Sequence, residues 1–284
     1  MSYEVYVEHP AWFIQGEPEK TLHLTHRSPR SDALSPCVMG PEDVDVEMSF
    51  PKHPRILEIC GMTQAGLEHF VTHYGKEYEF ISLFKCQLIN DFSPLEDLAR
   101  LKGVSIYWNI RADRFWDLFR NPELEYLNVD SAKKLTRTLT GLSAGQSLRF
   151  FRVSGDMDTP YPLASMSAFA GLAHLDELRL QDVKPIDKDM SFLDTLPLLD
   201  TIDFDAGMLT FEELARLAAK YPHLSGPVMG PYQKCPFSSR ELRVNGYRKP
   251  TLHLPEQQAA LDRYVAQFNT LAAQYRAEQN GTAG

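Results

Sequence analysis

Seven stretches of this chain place apolar residues at the first, fourth and sixth positions of one pattern, and their starts are separated by 23 to 27 residues. The starts are Pro54, Tyr78, Leu101, Leu124, Leu148, Leu175 and Leu199, with a degenerate eighth at Leu224. Twenty of these twenty-one positions are apolar, Pro54 being the exception, where a composition of 43% hydrophobic residues gives about nine. The spacing matches neither a helical face, which repeats at i, i+3, i+4, i+7, nor a strand that alternates to its end. In "YEFISLFKCQL", residues 78 to 88, it describes a short strand that bends into a loop. A unit this small cannot bury its own apolar side, so successive units must cover one another.

The strand segments "LKGVSIYWN", "LEYLNVDSA", "LRFFRVSGD", "LDELRLQDV" and "LDTIDFDAG" resemble those of the leucine-rich repeat family, over about residues 54 to 230. The resemblance implies an α/β leucine-rich repeat solenoid of seven to eight units, with a curved parallel sheet on the concave side and short helices on the convex side. Helical character between strands is clearest in "TFEELARLAAK", residues 210 to 220, where Phe211, Leu214, Leu217 and Ala218 share one face. The ninth position departs from the family's N/C preference. It reads Met62, Cys86, Asn109, Ala132, Asp156, Val183 and Gly207, which implies an irregular loop. The eleventh is apolar only at Leu88 and Leu209.

Flanking segments are of a size to cover the ends of such an array. Residues 1–53 read as a β-rich N-terminal cap: "YEVYVEHPAWFI" and "KTLHLTH" alternate like strands around a polar loop, "HRSPRSDALSPC". Residues 231–284 read as a C-terminal cap made of a hairpin and a helix. Asn245-Gly246 is the hairpin signal, and Leu261, Tyr264, Val265, Phe268, Leu271 and Tyr275 form a helical stripe after Pro255.

The start of the chain has no basic stretch leading into an apolar run, no window approaches eighteen apolar residues, and the cytoplasm is the expected location. Cys37, Cys60, Cys86 and Cys235 stand far apart without a C-x-x-C, which suits thiols rather than a disulfide or zinc framework. A formal net charge of −9 argues against nucleic acid as a partner, since phosphate-backbone binding relies on lysine and arginine. Neither a membrane nor a cofactor is expected.

Three motifs invite a chemical reading and fail their contextual tests. Gly141 to Gly145 matches G-x-S-x-G, but a nucleophile elbow needs a strand before it and a helix after it, and here "TRTLT" precedes and "LRFFRV" follows. His69 and His73 stand at i, i+4, yet Phe70 occupies the place of a general-base glutamate and a third ligand is missing, so no metal site is expected. Cys86, at the family's N/C position, should lie inside and donate weakly to loop carbonyls, with nothing basic beside it to activate the thiol. No glycine-rich phosphate loop is present and no catalytic residue is assigned.

Function is therefore expected on the surface of the sheet. With the fourth and sixth positions inward, the third, fifth and seventh face out. These positions place Phe80, Phe84, Tyr107, Tyr126 and Phe150, joined by Trp108, in the early and middle units, followed by Arg152 and Arg179 and then Asp203 and Asp205. Exposed aromatics on neighbouring strands mark binding faces. The expected function is a non-catalytic scaffold that holds a protein or peptide on its concave face, as an inhibitor, immunity-type protein or adaptor. The alternative is an enzyme or effector whose array selects the substrate while a terminal segment does the chemistry. The bland reading of the aromatics is that flanking segments bury them.

Overall fold

A computed structural model describes residues 21–25, 38–49, 56–156, 159–235 and 238–282, with the side chains of 21–25, 56, 281 and 282 excepted. The chain divides into two compact units, residues 1–148 and 149–284. No helix among the described residues is long and apolar enough to cross a membrane. "YEVYVEHPAWFI", "HRSPRSDALSPC" and Cys37 lie outside the described residues.

In the first unit five parallel strands follow in chain order: β1 (Thr21–Thr25), β2 (Ile56–Cys60), β3 (Phe80–Phe84), β4 (Gly103–Tyr107) and β5 (Tyr126–Asp130). The register is without slip, since Leu57 pairs with Ile81, Ile81 with Val104 and Val104 with Leu127. Each of these strands from β2 onward covers the third to seventh positions of the repeat pattern. The fourth and sixth positions are buried throughout, as their alternation requires. Two helices, α1 (Pro41–Met48) and α2 (Gln64–His73), pack together at the front, and α3 (Lys133–Thr138) follows β5. The sequence reading had no helix at α1, although Pro41 followed by Glu42 and Asp43 is a helix-start signal and Val44 and Met48 supply its buried face.

The second unit holds β6 (Phe150–Ser154), β7 (Tyr161–Leu163), β8 (Glu177–Gln181), β9 (Val183–Pro185) and β10 (Thr201–Asp203). β6, β8 and β10 are parallel neighbours, and β7 and β9 form a separate parallel pair. Helix α4 (Phe211–Lys220) has the face read from sequence and a capping box in which Thr210 and Glu213 satisfy each other's amides. Beyond it come β11 (Tyr232–Lys234), β12 (Glu241–Val244) and β13 (Thr251–His253), an antiparallel sheet, and then α5 (Gln258–Thr282). The hairpin around Asn245-Gly246 exists, but its loop spans 245–250 rather than two residues. The buried Asn245 amide is drawn away to the carbonyls of Pro227 and Gly230, at 2.7 and 2.9 Å, and the Gly246 amide to that of Ala206. α5 lays Tyr264 and Phe268 edge-on against Phe211 and places Tyr275 beneath the Arg216 guanidinium.

Most of the short helices expected between strands are 3-10 turns rather than α-helices. Phe92, Leu95, Leu98 and Leu101 are all buried at a spacing of three, and each amide after the first donates to the carbonyl three residues back. The same ladder of three runs through Leu139, Leu142, Gly145 and Leu148, and through Met190, Leu193, Leu196 and Leu199. A buried stripe at every third residue fits the three-residue turn of a 3-10 helix, whereas an α-helix would rotate it off the core. Hence the short 3-10 turns at Ser93–Asp97, Leu142–Ala144 and Ser191–Thr195.

The register makes a prediction. Leu178 is fully buried and Arg179 half-buried, so Leu178→Asp should lower stability by about 3 kcal/mol or more by placing a carboxylate in the core. Arg179→Ala should cost far less. Chemical denaturation of the two variants checks this, and the reverse order would mean a register displaced by one residue.

Candidate functional site

Five of the strands, β2 to β5 and β8, leave the sheet through an eighth position whose backbone is turned left-handed: Gly61 has φ +73°, Lys85 +53°, Trp108 +56°, Ser131 +53° and Asp182 +49°. The turn keeps a lateral bond. The amides of Gly61, Lys85 and Trp108 donate to the carbonyls of Phe84, Tyr107 and Asp130, the seventh residues of the next strand. In the first unit this geometry gathers an aromatic corner at the strand exits. Phe84 and Tyr107 stack at 4.9 Å with their planes 13° apart, and Trp108 stands at 90° to Tyr107 at 6.4 Å. The Lys85 ammonium lies 5.1 Å from the centre of the Phe84 ring and 5.1 Å from that of Trp108. Trp108 is 42% exposed and Ile110, two residues on, 50%.

The rest of the expected aromatic stripe is not on the surface. Phe80 and Tyr126 are 0% exposed and Phe150 is 4% exposed. Gly103 explains part of this. Its place between β3 and β5 carries no side chain, and a β-carbon there would stand 2.3 Å from Phe80 Cδ2 and 3.4 Å from Tyr126 Cβ. The Phe80 ring therefore lies over the glycine and meets Tyr126 at 5.4 Å. Phe80 and Tyr126, third positions of this unit, thus pack on one another above the sheet instead of standing in water. Below them the fifth positions Ser82, Ser105 and Asn128 are buried too, with the Asn128 amide donating to Ser105 Oγ at 2.9 Å.

In the second unit the fifth positions form a row of charge, Arg152 beside Arg179 beside Asp203. Arg179 pairs with Glu177 through its Nε and stands over the Phe150 ring at 5.8 Å, while Arg152 donates to Gln181 Oε1 at 2.7 Å. Burial pushes the Asp203 carboxyl above the usual carboxylate range, and Arg179 pulls it part of the way back. Asp205 lies at the turn Ala206–Met208, taking the Gly207 amide at 2.9 Å and Arg243 at 3.3 Å. The four charges named from sequence are thus partly spent on one another and on neighbouring elements.

The motifs set aside on sequence grounds occupy structural places. Ser143 lies in the 3-10 turn after α3, and Gly141 before it is left-handed at φ +95°. Cys86 is buried, with its thiol near the carbonyls of Ile59 and Phe84 at 3.6 and 3.5 Å and the Met62 amide donating to it at 3.3 Å. Burial pushes this thiol up to about 12. Cys86 and Cys235 are free thiols. Asn109, at the same position of the next unit, donates to the carbonyls of Cys86 and Ile89 and accepts from the amides of Arg111 and Ala112, so it holds the loop together.

His69 and His73 share the outer side of α2, their ring centres 4.4 Å apart. Sequence reasoning missed their neighbour: Asp45 of α1 meets His69 Nε2 at 2.6 Å and accepts from the Tyr74 hydroxyl at 2.6 Å. Both bonds hold the Asp45 carboxyl below its usual range. Among the described residues no group of three or more histidine, cysteine, aspartate or glutamate side chains is placed to hold a metal ion.

No protein-family model matches this sequence, and no curated protein does. Among solved structures the chain is similar to internalin C2 of Listeria monocytogenes, with a TM-score of 0.39 and 22% identity over 52% of this chain and 60% of that one.

Two predictions follow from the buried groups. Because the folded pKa of Asp203 is raised, ionising it costs stability as pH rises through the interval above the ordinary 3.8. Asp203→Asn should accordingly be more stable than the parent at pH 7, an advantage that vanishes below about pH 3.8, as urea midpoints across pH would record. Cys86 should resist iodoacetamide at pH 8 in the folded chain while Cys235 is alkylated, and peptide mass mapping reads the difference.

Proposed function

We propose that this chain is a non-catalytic protein-binding scaffold of the leucine-rich repeat type, and that its partner is engaged through the aromatic corner of the first unit. One observation carries the reading. Phe84, Tyr107 and Trp108 converge at the strand exits, and the indole, like Ile110 two residues further along the chain, is about half exposed to water. Aromatic anchors of this kind carry a disproportionate share of the energy at protein interfaces. An inhibitor, an immunity-type protein or a substrate adaptor would each use such a corner in the same way.

The proposal narrows the surface expected from sequence. Phe80, Tyr126 and Phe150 belong to packing. Arg152, Arg179, Asp203 and Asp205 tune the charge of the second unit, chiefly through association rate and salt dependence if the partner reaches them. A protein or peptide remains the partner class, and the cytoplasm the proposed location.

The test exploits the left-handed backbone at Trp108. Glycine adopts that conformation without cost, so Trp108→Gly removes the anchor while relieving the turn. With a partner isolated by affinity capture from native lysate, the variant should bind about thirtyfold more weakly, near 2 kcal/mol, with no fall in unfolding temperature. Titration calorimetry decides it. Parent-like affinity in Trp108→Gly and in Phe84→Ala would remove the aromatic corner as the site.

A further inference from the structure

On the first unit, Asp113, Arg114, Lys134, Arg137, Thr138 and Thr140 surround a cavity of about 570 Å³. Three cations face one carboxylate there, in a chain whose net charge is −9. Arg114 is joined to Asp113 only through Nε, at 3.4 Å. Lys134 and Arg137 stand three apart on α3, a spacing that puts like charges on one face, and neither meets a carboxylate within ion-pair distance among the described residues. All three cations are exposed, so their repulsion is weak, and an anion among them would turn it into attraction.

The backbone around the cavity is fixed. Arg114 and Thr140 bridge their chains in parallel, and the Phe115 amide donates to the Thr140 carbonyl at 2.8 Å. Leu139, buried and left-handed at φ +49°, anchors the turn between the two threonines, whose hydroxyls bond each other at 2.8 Å. Two hydroxyls, two arginine forks and an ammonium make a donor set for oxygen anions. A phosphate monoester, with nearly two charges and three acceptor oxygens, suits three cations better than a single carboxylate does.

We propose that this cavity binds the phosphate of a phosphorylated sugar or polyol. The volume lies within the range of small-molecule sites and exceeds what one phosphate fills. Among the described residues no aromatic or apolar residue lines it, so a polar remainder suits it better than a nucleobase or an acyl chain. Asp113 accepts from its hydroxyl groups, while Arg114, Lys134, Arg137 and the threonine hydroxyls hold the phosphate.

The experiment uses the full chain at constant ionic strength, titrated calorimetrically with fructose 1,6-bisphosphate and, separately, with sodium sulfate. A second arm measures co-flotation with vesicles containing phosphatidylinositol 4,5-bisphosphate, which separates a lipid headgroup from a free phosphate ester. The expected result is saturable binding of the bisphosphate, tighter than sulfate, and weakened at least tenfold in Lys134→Ala/Arg137→Ala. Both substituted side chains are exposed, so the unfolding temperature should be that of the parent. Vesicle capture that the free bisphosphate competes away, and that the double variant loses, assigns the same cavity to a headgroup. The proposal is overturned if neither arm shows saturable binding, if sulfate binds as tightly as the bisphosphate, or if the double variant binds like the parent.

Discussion

The lateral backbone bond between one strand and the next is the constraint on which the other features depend. Each strand is tied at its entrance, where the amides of Lys102 and Gly103 share the Glu79 carbonyl and those of Glu125 and Tyr126 share that of Lys102. Several are tied again at the exit, where the eighth amides of Gly61, Lys85, Trp108 and Gly155 reach the seventh carbonyl of the neighbouring strand. With both ends fixed, a five-residue strand cannot slip by one place without turning its fourth and sixth residues out to solvent. The second unit repeats the entrance, with Asp176 and Glu177 sharing the Arg149 carbonyl. Every side chain in the candidate site takes its direction from this register.

That register was legible in the sequence because it is written in the most redundant signal available, apolar residues at two alternating positions in every unit. Cys86 and Asn109 were legible for a related reason: a buried polar group must find carbonyls, and the pattern already placed those carbonyls. The returns were misread. Phe92, Leu95, Leu98 and Leu101 spell a period of three, but a search for helical faces at 3.6 passes over it; α2, with Leu67, Phe70 and Val71, and α4, with Phe211, Leu214, Leu217 and Ala218, answer to that search. The Asp45 contact with His69 and Tyr74 was beyond sequence reasoning. It joins residues 24 and 29 apart across two helices, with no periodicity to announce it.

The candidate site shows where alternation stops being informative. It says which face a side chain leaves the sheet on and nothing about what lies above that face. Phe80 and Tyr126 leave on the outward side and are nonetheless wholly buried, and Gly103 contributes by removing the one side chain that would have held them apart. A glycine at a third position was the available clue, since it clears room for a neighbour's ring. The arginine and aspartate row of the second unit is similar. Read singly, Arg152, Arg179 and Asp203 are charges offered to a partner; in place, Glu177 and Gln181 take up the two arginines, and burial works against the aspartate.

The eighth position carries the remaining argument about function. A left-handed residue other than glycine costs roughly 1–2 kcal/mol, and Gly61 shows the unstrained solution at the equivalent place. The lateral bond does not require a side chain there, because Gly61 and Trp108 donate to their neighbours at 3.0 and 2.9 Å alike. Packing does not require the indole to be outside, because the core offers apolar surroundings that a 42% exposed tryptophan forgoes. Lys85 accepts the same strain next to it and spends its ammonium on the Phe84 and Trp108 rings, which fixes their relative positions. Strain, exposure and a cation that orders the rings each oppose or exceed what the turn itself needs. What they have in common is an exposed aromatic surface at the exit of the sheet, and on that surface the proposed binding role rests.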